Sequence, residues 1–214
     1  MLTLSEELML LAVNDDKGHF ILSATSDLPY GIAASLVLEL NYREIIQINE
    51  KGYIELIQDT KTDIDFLDFA INLIRRTKKQ KDCEFWIRSF ALEYKIFKEQ
   101  IIENLVLKGI LKRNAKKFLF LIDFNKYPTL NPAPELETRD KIHKVVLMGI
   151  QPDKKIYDLI VLLYCCNLVD EVFPKSLRKS AQKFIKGITE NSTLGKLIKN
   201  ISSEMNFTVM SSVS

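Results

Sequence analysis

Apolar positions recur at spacings of three and four residues through most of the chain, and that period predicts a mainly helical molecule. Thr3 and Glu6 stand at the spacing of a capping box, and Leu4, Leu8, Leu11 and Ala12 form an apolar stripe behind them. A first helix is therefore predicted over Leu4–Val13. Asn14–Gly18 breaks it, and His19–Leu22 follows as a short apolar strand candidate. Asp27 is placed to cap a helix over Leu28–Arg43 whose early Pro29 sacrifices no hydrogen bond. That helix is rich in small residues (Gly31, Ala33, Ala34, Ser35), which let a neighbouring helix approach closely and put it in the core of a bundle.

The period then switches to two. Ile45–Ile48 and Tyr53–Ile57 alternate around Asn49–Gly52 as a hairpin. Helices are predicted again from Ile64 to Ile74, ending in Arg75, Arg76, Lys78, Lys79 and Lys81, and around Cys83–Phe90, which carries the single Trp86. Ile96, Phe97, Ile101 and Leu105 mark a central helix that stops at a left-handed Gly109. Beyond it, Ile110 and Leu111 open a strand, Lys112–Lys117 form a basic turn, and Phe118–Phe124 return. Tyr127–Pro134, with three prolines, is predicted as an ordered surface loop. Four helices complete the chain: Glu135–Met148, Pro152 or Lys154 to Asn167, Lys175–Lys186 and Leu194–Met205. The fold class expected is mainly α, a helical bundle core surrounded by amphipathic helices with two or three small β-hairpins. One domain is expected over 1–209, with 210–214 a disordered tail.

Composition narrows the function classes. The 214 residues are 47% hydrophobic, enough for one sizeable core. Thirty basic against 28 acidic residues leave +2, too little for a global nucleic-acid footprint, so any anion site must be a local patch. A winged-helix reading of the first hairpin fails on Glu44, Glu50 and Glu55, which would repel phosphate; no nucleic acid is expected. Cys83, Cys165 and Cys166 lack paired or metal-ligand spacing and are expected as free, mostly buried thiols in a reducing compartment. Glu6 and Glu7 stand where a secretory signal would carry cations, and no export is indicated. The longest apolar run, Leu159–Val169, is short of the ~20 residues a membrane-spanning helix needs.

Candidates for chemistry are few. His19 and His143 are far apart in sequence, and the pairs Glu6–Glu7 and Asp15–Asp16 sit at helix ends, where capping and solvation account for them. No motif for nucleotide binding, nucleophilic catalysis or zinc occurs, so no enzyme activity, metal or cofactor is expected.

Four stretches, taken in order and spacing, carry a resemblance: LTLSEELMLLAVNDDKG (Leu2–Gly18), LPYGIAASLVLEL (Leu28–Leu40), ENLVLKGIL (Glu103–Leu111) and NKYPTL (Asn125–Leu130). Together they resemble the Golgi phosphoprotein 3 family, a mainly helical domain of eukaryotic Golgi membranes that also occurs in bacteria, and this chain is identified as a bacterial-type member. The resemblance implies a non-enzymatic peripheral-membrane adaptor that binds phosphatidylinositol 4-phosphate. In the family the lipid is held by a tryptophan, an arginine on the small-residue helix, and two arginines three apart on the central helix. Carried over by position, these fall on Ala24, Ala33, Lys95 and Lys98. The alanines cannot do the original job, and lysine keeps the charge without the bidentate fork, so weaker and less selective anionic-lipid binding is implied.

The same resemblance assigns self-association or membrane contact to the hairpin Ile110–Phe124, through Lys112, Arg113, Lys116, Lys117, Phe118 and Phe120. Its basic tip would gain ~1 kcal/mol per cation on anionic lipid, and its alternating Phe118–Leu121 leaves one apolar face for a partner chain, other helices or membrane. The ordinary readings compete: a solvated face for Lys95 and Lys98, a soluble turn for 112–117, core packing for Trp86 with Phe85 and Phe90. Two functions follow. One is a cytoplasmic adaptor on an anionic membrane, a Golgi one only in a eukaryotic source. The alternative is a soluble oligomeric interaction module whose lipid pocket has been lost; the protein partner is unknown in both.

Overall fold

The computed structural model describes residues 1–13, 19–113 and 126–212, and of 205–212 the backbone only. Among these residues ten α-helices run in the order α1 (Leu4–Leu11), α2 (Leu28–Tyr42), α3 (Asp65–Arg76), α4 (Cys83–Leu92), α5 (Tyr94–Leu107), α6 (Ala133–Met148), α7 (Lys154–Cys165), α8 (Val169–Val172), α9 (Arg178–Asn191) and α10 (Thr193–Ser212). Between α2 and α4 lies one antiparallel sheet of β1 (Ile46–Ile48), β2 (Tyr53–Leu56) and β3 (Lys81–Asp82), in that order. The fold is mainly α with a small β sheet, as the periodicity implied.

The two helices at its centre are α1 and α2. Thr3 Oγ1 accepts from Glu6 N–H while Glu6 Oε2 accepts from Thr3 N–H at 2.8 Å, the reciprocal capping box. Every residue of α1 is buried, its two acids included; of the expected capping and solvation of Glu6 and Glu7, the capping holds at Glu6 and the solvation is corrected. Burial is tolerated because each carboxylate finds a cation. Glu6 receives Lys108 Nζ at 2.7 Å and Asn104 Nδ2 at 3.0 Å, and Glu7 lies 3.1 Å from Lys155 Nζ. Glu39 of α2 caps the same helix from outside, accepting Leu4 N–H at 2.9 Å.

On α2 the small residues do what their size suggests. Ser35 and Ser5 share a hydroxyl hydrogen bond at 2.8 Å, and a Cβ on Gly31 would stand 2.2 Å from Cys166 Sγ. The helix packs most extensively on α4 and α1. Asp27, expected to cap it, accepts no such bond. Its carboxylate instead accepts from Asn167 Nδ2 at 2.8 Å and from the Ser202 hydroxyl, tying the start of α2 to the end of α7 and to α10.

Several boundaries moved. Only Phe20 of the predicted His19–Leu22 strand pairs, in a single bridge with Val13, and a 3-10 turn over Leu22–Ala24 takes the rest. Strand β3 was not foreseen: it has two polar residues, too short for any alternation, and owes its place to pairing Tyr53 with Asp82. Helix α8 was also unforeseen. Helix α9 starts at Arg178 and not Lys175, because the Pro174 carbonyl first accepts Leu177 N–H in a turn. Gly109 ends α5 at φ 68° with Ile110 N–H returning to the Leu105 carbonyl, as predicted. At the base of the expected second hairpin, Leu111 bridges Thr129 and Lys112 N–H donates to the Pro128 carbonyl at 3.0 Å. Pairing therefore reaches past the expected limit at Phe124 into the proline-rich stretch. Residues 114–125, with Lys116, Lys117, Phe118 and Phe120, lie outside the described residues, as do 14–18. Helix α10 extends through Ser212, into the segment expected as a tail, and 213–214 lie outside the description.

Candidate functional site

Helix α5 begins one residue after α4, with Glu93 closing one and opening the other. Its inner face is fixed by Phe97, whose ring lies 5.1 Å from that of Phe69 and 5.5 Å from that of Phe90. Lys95 and Lys98 are therefore held one turn apart on the outer side, since residues three apart share a helix face. Lys95 is exposed. Lys98 is half-buried, its ammonium 5.4 Å from the centre of the Phe20 ring. Phe20 in turn meets Tyr127 edge-on at 6.0 Å, and Tyr127 is buried. Two residues after Phe20, Leu22 is 86% exposed on the 3-10 turn, an apolar side chain offered to solvent.

The other expected positions distribute unevenly. Ala24, on that same turn, and Ala33, on α2, are 0% and 1% exposed, their methyls packed in the core. Lys112 is exposed. Arg113 is engaged: its guanidinium donates to Glu99 at 2.9 Å, lies 3.5 Å from Glu103, and stands 6.0 Å from the Tyr127 ring. Part of the basic turn is thus neutralised by carboxylates of α5. Phe20 and Tyr127 were missed as members of the site. The first sat inside a strand prediction and the second inside a loop prediction, and only the pairing of Val13 with Phe20 and of Leu111 with Thr129 brings them together.

Elsewhere charge is spent on structure. A cleft of about 450 Å³ beside α1 is lined by Glu7, Lys155, Lys141 and Glu137, which pair as Glu7–Lys155 and Lys141–Glu137, the latter at 2.7 Å. Burial pushes the Glu7 carboxyl above the ordinary glutamate value, against the pull of Lys155. Burial likewise raises Asp158, whose carboxylate accepts the Tyr42 hydroxyl, and raises Tyr42. The thiols of Cys83 and Cys165 are pushed up to about 11 and about 12 by burial. Trp86 is buried between Phe85 and Phe90, as the packing alternative held. Among the described residues no group of three His, Cys, Asp or Glu is arranged to hold a metal ion, and no helix is long and apolar enough to cross a membrane.

The sequence model described as Golgi phosphoprotein 3 (GPP34) matches residues 4–205. The chain belongs to the Golgi phosphoprotein 3 family. Within reach of that match is a curated relative, the vacuolar protein sorting-associated protein 74 of Schizosaccharomyces pombe, 29% identical over 166 residues. The similarity covers 68% of this chain and 47% of the relative, so this Golgi phosphoprotein 3 member spans about half the length of that protein.

Proposed function

We propose that the protein is a non-enzymatic peripheral adaptor that docks on the cytoplasmic side of an anionic membrane through the outer face of α5. The observation that carries this is the pair Lys95 and Lys98, one turn apart, with Lys98 seated over Phe20 and exposed Leu22 close by in sequence. An aromatic platform holds an ammonium in place, and the exposed leucine two residues along the chain from that platform can enter the headgroup layer. Lysines supply point charge, and the buried Ala24 and Ala33 supply neither an indole nor a guanidinium. The expected preference is therefore for anionic lipid by charge, with phosphatidylinositol 4-phosphate favoured little beyond its own charge. Exposed Lys112 adds to the same field.

Co-sedimentation with vesicles of neutral lipid, of generic anionic lipid and of phosphatidylinositol 4-phosphate, at two salt concentrations, tests it. Binding that follows vesicle charge, weakens with salt and drops for Lys95→Glu/Lys98→Glu supports the proposal. Unchanged binding of that variant removes these lysines from the site. The two buried alanines at the family's lipid positions favour a second reading, a soluble module that assembles through the segment 110–124. In that case the protein sediments with no vesicle and runs as an oligomer on a sizing column, and deleting 112–124 returns it to a monomer.

A further inference from the structure

A second strip of surface has the chemistry of a bilayer contact. Five of the seven residues from Arg75 to Lys81 are Arg or Lys, across the last residues of α3, the turn after it and the first residue of β3. Arg75 is taken by Asp59 and Asn72, and Lys81 lies 4.6 Å over the Phe85 ring. Arg76, Lys78 and Lys79 are exposed and make no ion pair among the described residues. Behind this turn, Arg75, Lys79, Lys81 and Trp86 line a cleft of about 510 Å³, with Glu55 its one acid among the described residues.

The turn leads through β3 straight into α4, whose solvent side carries two exposed apolar side chains beside the paired Glu84 and Arg88. Phe85 and Leu92 are seven residues apart, hence on one side of the helix, and are 38% and 80% exposed. Three of the acids nearby are already used: Asp82 caps α4 by accepting Phe85 N–H at 2.8 Å, and Arg88 holds both Glu84 and Glu204. At the far end stand exposed Lys95 and Ile96. Ten helical residues span about 15 Å, so the two basic ends are close enough to touch one flat surface together.

We propose that α4 lies on an anionic bilayer, with the Arg75–Lys81 turn binding lipid phosphate and Phe85 and Leu92 entering the interface. A soluble anion would use the cations and leave the two apolar side chains without a role, whereas an anionic membrane matches both. The groups proposed to bind here, the Arg75–Lys81 cations with Phe85 and Leu92, are separate from the Lys95–Lys98 pair that adjoins them, and the proposal rests on the reading that this chain docks on membranes.

The test is co-sedimentation of the full chain with phosphatidylcholine vesicles with and without phosphatidylserine. Lys78→Gln/Lys79→Gln should lower partitioning at low salt by about fivefold per charge removed, and Phe85→Ser/Leu92→Ser should lower it at every salt concentration, both with unchanged circular dichroism. Free inositol phosphate should compete weakly. In addition, Leu92→Trp should add a fluorophore whose emission shifts to the blue on anionic vesicles. Loss confined to Lys95→Glu/Lys98→Glu would leave the first site standing and overturn this one; loss confined to the strip variants would do the reverse. Wild-type protein that sediments with neither vesicle, or a Leu92→Trp emission that stays put on bound vesicles, overturns the strip.

Discussion

Cys166 Sγ occupies the space that a side chain at residue 31 would need. Gly31→Ala should therefore destabilise the protein by about 1–3 kcal/mol, the usual effect of overpacking, and Cys166→Ala added to it should recover much of that loss. Denaturant titration of the two single variants and the double variant measures the coupling, and strictly additive effects would show that the two residues do not compete for space. The thiols themselves should be inert: with Cys165 pushed up to about 12 and Cys83 to about 11, an aromatic disulfide reagent should label neither quickly at neutral pH until denaturant is added.

Glu7 carries a pH signature. Its folded carboxyl binds a proton more tightly than the unfolded one, whose ordinary value is 4.5. Its contribution to stability is greatest below that value and is lost as pH rises through the higher folded value. Glu7→Gln mimics the protonated form, so its stability relative to wild type should improve as pH climbs from about 4.5 towards neutrality. Stability curves of the two proteins that stay parallel over that interval would show that ionisation of Glu7 is not the cause.

At the scale of elements, α1 shows best what was legible. Its capping box and stripe could be read from Thr3, Glu6 and the leucines, because capping is local and its signal lies within four residues. Its complete burial could not, because the cations that make buried Glu6 and Glu7 tolerable stand on α5 and α7, far along the chain. Lys108→Met should leave the Glu6 carboxylate buried without its cation. The expected loss is about 2–4 kcal/mol, below that of a wholly buried pair because Lys108 is a third exposed and Asn104 and Thr3 remain as donors. Thermal unfolding reads this directly. Asp27 gives the complementary lesson: a residue type that caps helices was placed correctly in sequence, and the structure spends it on Asn167 and Ser202. Propensity names the residues able to cap, and tertiary partners decide which of them do.

For the molecule as a whole, helix count and order were largely legible because long amphipathic segments carry their period with them. The candidate site was legible only in its cations. Lys95 and Lys98 come from the family resemblance, with spacing adding only that they share a helix face, whereas Phe20 and Tyr127 join them through two isolated bridges that no local pattern announces. The overall charge of +2 also concealed how it is arranged: the cations of the Arg75–Lys81 turn and of α5 are concentrated on opposite ends of α4. If both ends meet lipid, vesicle binding by the wild type should fall more steeply with salt than that of a variant lacking either end, a comparison that parallel sedimentation series would provide.

The buried first helix has a consequence for synthesis. Glu7 is made long before Lys155, and at about 5–20 residues per second the interval is roughly 7 to 30 s. Throughout it, Glu7 has no cation, even after α2 and Lys108 have emerged to cover the rest of α1. The chain therefore cannot complete its core from the N-terminus forward as it is made; the oldest segment is among the last to find its place.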